Sequence, residues 1–490
     1  MNLADDIFDH ADPAAPALIE VARTTSYGEL AAWTAEAAAA LGDCRGCRVG
    51  LSCPNGLAHI VWSLALLRAG AVLIPVAPEL TGPERLELAA TTSLHAVLAA
   101  GGHGWPHPAV GTRALAAAGL TATWFELSAP PPTFDEAALA GLNPALVRFS
   151  SGTTGRRKGV VLSHETLLAR LRAANAGLRI GPGDRIIWML PMAHHFAVSL
   201  LLYLRHGAAT VLPASHLGED VVAALRAHRG TVLYAAPFHH AMLAAAPGAG
   251  PVPSLRLAVS TAAPLPAATA EAFHRTFGLP LRQALGIIEC GLPLLNTAWP
   301  EKTASVGAPQ PDFETELRDE TGRPLADGET GELCLRGPGF ADAYLSPWTP
   351  RERLLDHGWF RTGDLARRDA GGAIWLIGRC HSVINVGGMK CFPEEIEACL
   401  ETHPGVREAR VTGLPHPGFG QVPAAEVVAH DPAMPPSPRT LADHCRTHLS
   451  AHKVPVRFAF VKRLPKTASG KPDRTLPFGD SGVASRDAAG

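Results

Sequence analysis

Residues 149–161 read Phe149-Ser-Ser-Gly-Thr-Thr-Gly-Arg-Arg-Lys-Gly-Val-Val161, placing four small hydroxyl side chains, three glycines and a lysine in one short stretch. Glycine lets a backbone turn sharply and approach a ligand closely. Exposed N–H groups ringed by hydroxyls and a cation make a cradle for phosphate oxygens. Ser150, Ser151, Gly152, Thr153, Thr154, Gly155 and Lys158 are therefore candidate polyphosphate contacts. The flanks agree. Ala145–Phe149 reads as a short buried strand, and 165–174 as a helix with Ser163 at its N-cap. The spacing is not that of a Walker loop, because Arg157 and Lys158 stand where Gly-Lys is required after Gly152.

A chain of 490 residues exceeds one compact core, so two or more domains are expected. Lys+Arg 43 against Asp+Glu 45, without a basic run interleaved with aromatics, gives no support for nucleic-acid binding. The start, Met1-Asn-Leu-Ala-Asp-Asp6, lacks the basic region of a secretion signal. The apolar stretch 60–76 is broken by Arg68 and Gly70, which suits a buried helix running into a strand rather than a membrane span. Nine irregularly spaced cysteines suit a reducing compartment, and a cytoplasmic location is expected. Cys44-Arg-Gly-Cys47 has no second pair or histidine partner at zinc-ribbon spacing.

Strand and helix patterns alternate from about residue 17 to 259, the signature of an α/β fold with mostly parallel strands. Predicted elements include a helix at 57–68 and strands at 185–190 and 231–234. After about residue 309 short strands and turns take over, and the last hundred or so residues read as a small α+β unit with helices at 393–401 and 440–449.

Further segments follow the glycine-rich stretch in a fixed order: Ser260-Thr-Ala-Ala-Pro-Leu265, Gly286-Ile-Ile-Glu289, Trp359-Phe-Arg-Thr-Gly-Asp-Leu365, Gly378-Arg379 and Lys466-Thr-Ala-Ser-Gly-Lys471. From Thr25 to Arg474 the chain resembles the acyl-adenylating superfamily of acyl- and aryl-CoA synthetases, nonribosomal adenylation domains and beetle luciferases. The resemblance implies a large N-terminal adenylation domain, 1–379, and a small mobile lid, 380–490, that rotates after adenylation. It implies ATP and Mg²⁺ as cofactors. Ala262, Ala263, Pro264, Leu285 and Gly286 would line the adenine side, Asp364 the ribose, and Arg379 the ribose and phosphates. Glu289 would hold Mg²⁺, which is content with few carboxylates besides phosphate and water. Lys471 would be the catalytic lysine, a compact cation offsetting the repulsion between carboxylate and α-phosphate. Two positions depart from the pattern. Leu285 replaces an aromatic, and Ile288 replaces a threonine that contacts the α-phosphate.

His194 matches a catalytic histidine near the acid's carboxylate, and with Phe196, Ala197, Phe238, Ser260 and Leu292 it would form the acid pocket. His194 and His195 are expected on an extended segment, pointing to opposite sides. Amino-acid-activating relatives carry Phe-Asp-x-Ser where this chain has Phe196-Ala-Val-Ser199, so an α-ammonium would go unpaired. The expected substrate is a non-α-amino acid, aryl or fatty/aliphatic. Ile384-Asn-Val-Gly-Gly-Met-Lys-Cys-Phe-Pro-Glu-Glu-Ile-Glu397 resembles the thioester-forming branch, in which Gly387 and Gly388 line a thiol tunnel. Coenzyme A or the phosphopantetheine of a separate carrier protein is the expected acceptor. An acyl-AMP-dependent amide ligase and a nucleotide-binding member without turnover are the alternatives.

Overall fold

In this computed structural model, which describes residues 1–149, 158–387, 389–466, 476–479 and 485–487, the strand Pro144–Phe149 leads into the glycine-rich segment. It pairs antiparallel with Gly159–Ser163, Val147 opposite Val161 and Arg148 opposite Val160. Ser163 then caps the helix His164–Leu178, its hydroxyl accepting the Thr166 N–H as the sequence predicts.

The chain forms two compact units. The first comprises residues 1–149, Lys158–Glu314 and Leu335–Phe360. It contains two nine-stranded sheets. In one, Arg48–Ser52 lies between Val72–Pro75 and Ala96–Ala100, all three parallel, with antiparallel strands at the edges. In the other, Ala209–Val211, Arg185–Ile187, Val232–Ala235, Leu257–Ser260 and Leu281–Ile287 run parallel in that spatial order. Central strands such as Arg48–Ser52 and Ala96–Ala100 are buried at every position, the mark of a sheet covered on both faces. The connecting helix Leu57–Arg68 is buried over His59–Leu67, so it lies inside the unit and not on its surface.

The second unit gathers Thr315–Cys334 and the described residues from Arg361 onward. Within it residues 364–368 pair antiparallel with the strand Ile374–Arg379. A further sheet is built on Gly420–Ala429, which pairs antiparallel with Val406–His416 and parallel with Arg457–Phe460. The helices Pro393–Glu401 and Pro438–His448 pack against this sheet through Ile396, Leu400, Leu441 and Cys445. The 379/380 division falls inside this unit, just after the strand Ile374–Arg379. Among the described residues no helix is long and apolar enough to cross a membrane.

Candidate active site

Two of the quoted segments meet at the ends of adjacent parallel strands. Leu257–Ser260 and Leu281–Ile287 pair with Ser260 opposite Gln283. The Gln283 carboxamide oxygen accepts the Leu265 N–H at 3.3 Å, tying the small-residue turn to its neighbour strand. Ala262, at the exposed tip, has φ +71°, a conformation a short side chain tolerates better than a branched one. Gly286 is exposed, and a Cβ there would lie 3.6 Å from the Thr261 hydroxyl. Carboxyl ends of parallel strands are where open α/β sheets bind ligands. Ala262, Ala263, Pro264, Leu285 and Gly286 thus share one edge of the first unit. Ile288 turns its side chain against the core instead.

Glu289 follows directly and is held by Tyr344 and Arg170. The Tyr344 hydroxyl donates to its Oε1 at 2.8 Å. Burial, then the neighbouring carboxylate, push the Tyr344 phenol above its usual range, so it remains a donor. Arg170, on the helix His164–Leu178, donates to the backbone oxygens of Ile288 at 2.7 Å, Glu289 at 2.5 Å and Gly339 at 2.5 Å. Lys158 places its ammonium 4.7 Å from the centre of the Tyr344 ring, a cation–π distance. Lys158, Glu289 and Tyr344 therefore form one cluster. The Glu289 Oε2 has no hydrogen bond among the described residues, and a carboxylate with an oxygen to spare suits a hard cation carrying phosphate.

The acid-side residues need one correction. Residues 192–195 are helical, not extended, and begin directly after Pro191. The helix continues through a wide turn at Phe196–Leu200, where the Leu201 N–H bonds the Phe196 carbonyl, into Leu201–Arg205. Phe196, Ala197, Leu200, Leu201 and Leu204 are all buried, and this helical spacing outweighs an extended reading. Successive residues of a helix point about 100° apart, so His194 and His195 still diverge. His194 Nε2 lies 2.5 Å from the Glu79 carboxylate. His195 is held neutral, its pKa pulled down to about 3 by burial and then by the charge of Arg148. Ala197 and Leu292 bound a small cavity with Arg170 and Gly291. Ser260 is fully buried. Phe238 sits on the helix Pro237–Ala244 and is 72% exposed, so the structure does not bring it to the buried cluster.

In the second unit, Asp364 and Arg379 face each other across the antiparallel pair, with Arg379 Nε 2.7 Å from Asp364 Oδ1. Asp364 is nearly buried, and Thr362 Oγ1 accepts its N–H. Gly387 has φ +59°, and its N–H bonds the Phe419 carbonyl at 2.8 Å. Ser150, Ser151, Gly152, Thr153, Thr154, Gly155, Gly388 and Lys471 lie outside the described residues.

Residues 8–345 match the family described as AMP-binding enzyme, and 395–471 its C-terminal domain. The chain belongs to the AMP-binding enzyme family. It is 33% identical over 351 residues to a sulfoacetate–CoA ligase of Cupriavidus necator, covering 70% of this chain and 67% of that protein. It is 31% identical over 476 residues to a feruloyl-CoA synthase of Amycolatopsis sp., covering 94% of each. The solved o-succinylbenzoate CoA synthetase of Bacillus subtilis, holding an acyl-adenylate, superposes with TM-score 0.83 at 25% identity over 97% of both chains. An amide bond synthetase of Marinactinospora thermotolerans superposes at 0.79 and 26%, covering 96% of this chain and 97% of that one. This AMP-binding enzyme is an ATP-dependent, adenylate-forming ligase of the acid–thiol type.

Sequence reading missed Tyr344, Glu79 and Arg170 in this AMP-binding enzyme. Tyr344 lies 55 residues from the glutamate it holds, Glu79 115 residues from His194, and Arg170 119 residues from Glu289. No local pattern links such pairs. Arg170 alone carried a signal, a cation on the apolar face of a helix between Leu167 and Leu171.

Proposed function

We propose that this enzyme adenylates a carboxylic acid lacking an α-amino group and passes the acyl group to coenzyme A or to the phosphopantetheine of a separate carrier protein. The carrying observation is the buried, uncharged wall at Phe196 and Ala197, 1% and 5% exposed, where an amino-acid substrate would need a carboxylate. A carboxylate oxygen attacks the α-phosphorus of ATP, the bond to pyrophosphate breaks, and acyl-AMP forms. The thiol then attacks the acyl carbon and AMP leaves with the bonding pair. Glu289, oriented by Tyr344, is assigned to Mg²⁺, which when bound draws charge from the phosphate oxygens. His194, braced by Glu79, is assigned to the carboxylate's approach. Ser150 to Gly155 and Lys158 are assigned to the phosphates, Asp364 and Arg379 to the ribose, and Gly387 and Gly388 to the thiol arm. Residues 380–490 are assigned as the lid that brings Lys471 to the reacting carboxylate and excludes water. Nine free cysteines accord with a reducing, cytoplasmic setting.

Acid-dependent ATP–pyrophosphate exchange over aryl, aliphatic and amino acids tests this reading, with Lys471→Ala alongside. Exchange with one class of non-amino acid, lowered about 10²-fold or more by the substitution, supports it. Exchange restricted to α-amino acids, or none with any acid, refutes it. An amide ligase is the second reading, favoured by the likeness to the amide bond synthetase. Acylated amine formed without coenzyme A or carrier protein identifies it.

A further inference from the structure

Arg148 stands two residues before Ser150, on the strand Pro144–Phe149. Side chains alternate along a strand, so it projects opposite to Val147 and Phe149. Leu146 and Val160, its same-face neighbour and its cross-strand partner, belong to the core cluster that also holds Phe196, Ala197 and Leu292. Arg148 is thus a cation on the face that carries the acid-side residues. Its Nε is buried and has no hydrogen-bond partner among the described residues. The Glu289 charge acts on it, but the two form no ion pair among the described residues. Burial lowers its pKa to about 10, which leaves it charged at neutral pH. The Nδ1 of His195 is also buried and without a partner among the described residues, and Arg148 acts on that ring directly.

A guanidinium held in such surroundings without an ion-pair partner among the described residues is costly, and an apolar side chain of similar length would serve the core better. The cost is offset if a ligand supplies the anion. We propose that Arg148 and the Nδ1 edge of His195 form an oxyanion-binding site, which takes a carboxylate, sulfonate or phosphate oxygen of a bound substrate. The planar guanidinium suits such groups, and a neutral imidazole can donate from Nδ1. The proposal rests on the ligase reading. The oxyanion is either a second acidic group on the organic acid, beyond the carboxylate that is adenylated, or a phosphate of ATP.

The test compares Arg148→Met and Arg148→Lys with the unchanged full-length chain. Arg148→Met is expected to hold or raise Tm, because it removes a buried cation that has no ion-pair partner among the described residues. It is also expected to raise one KM about tenfold or more, with Arg148→Lys falling between. If only acids with a second acidic group lose, the organic acid is the source. If the KM for ATP rises with every acid, phosphate is the source. Calorimetric titration of ATP and of succinate into the same proteins reads the site without turnover. It separates failure of this proposal from failure of the ligase reading, because it needs no competent acid. Unchanged KM values and titrations in Arg148→Met overturn the site. So does a fall in Tm of several degrees with KM values unchanged, which would make Arg148 structural.

Discussion

Glu289 and Asp364 are the two acidic residues assigned to the nucleotide, and the chain secures them by opposite means. Asp364 is held within one antiparallel pair. Arg379 lies across the register, and Thr362, two residues away, accepts the Asp364 N–H. Glu289 is held by residues remote in sequence: Tyr344 bonds its carboxylate, and Arg170 grips its backbone and that of Ile288 and Gly339. A hairpin pair is assembled by local structure. The Glu289 cluster exists only once a helix, a strand end and a distant loop have packed. The first should tolerate damage elsewhere in the fold, and the second should not.

The strongest way to break that contrast is Glu289→Ala. Pyrophosphate exchange is expected to fall about 10²- to 10³-fold. A loss under threefold at saturating Mg²⁺ would remove Glu289 from the metal role. Next, Asp364→Ala is expected to raise the KM for ATP about 10- to 100-fold, the scale of a lost charge-assisted hydrogen bond or two. Arg379, 41% exposed, would find water, so Tm should move little. A large fall in Tm would show the pair to be chiefly structural. Tyr344→Phe sharpens the comparison further. It removes one hydroxyl and no bulk, so exchange should drop about three- to tenfold with the same thermal midpoint. No drop would mean that Glu289 is placed by its backbone contacts alone.

The smallest expected effect concerns pH. His59, His164 and His240 are pushed by burial to about 4, and His195 to about 3, all in the first unit. Their folded values lie below the unfolded value near 6.5. Above that pH neither state binds the proton, and the histidines add no pH dependence. Below it the unfolded state binds protons that the folded state does not, so stability falls as pH drops toward about 4. Tm is expected to decrease by roughly 5 °C between pH 7 and pH 5. A flat profile over that window would mean that these rings gain protons without unfolding.

Much of the frame was legible from residues. The helices Leu57–Arg68 and Pro393–Glu401 have the bounds their apolar spacing predicts, and Ser163 caps the helix assigned to it. Asp364 and Arg379 were singled out one by one from their motifs, and their pairing across one short strand–turn–strand came from the structure. The stretch after Pro191 was misread because two adjacent histidines gave no period, while the apolar residues that follow did. Phe238 was drawn into the acid pocket by its neighbours in sequence, yet its helix turns it outward.

By itself, then, the sequence determined the alternation of strands and helices, the glycine-rich turn, and which side chains could bear phosphate, metal and proton chemistry. Those properties depend on residue type and near-neighbour spacing. Only the tertiary structure decided that Tyr344 and Arg170 hold Glu289, that Glu79 braces His194, that His195 stays neutral and that the buried Arg148 Nε has no hydrogen-bond partner among the described residues. Partners, burial and charge state are set by which distant surfaces pack together, and no local pattern encodes that.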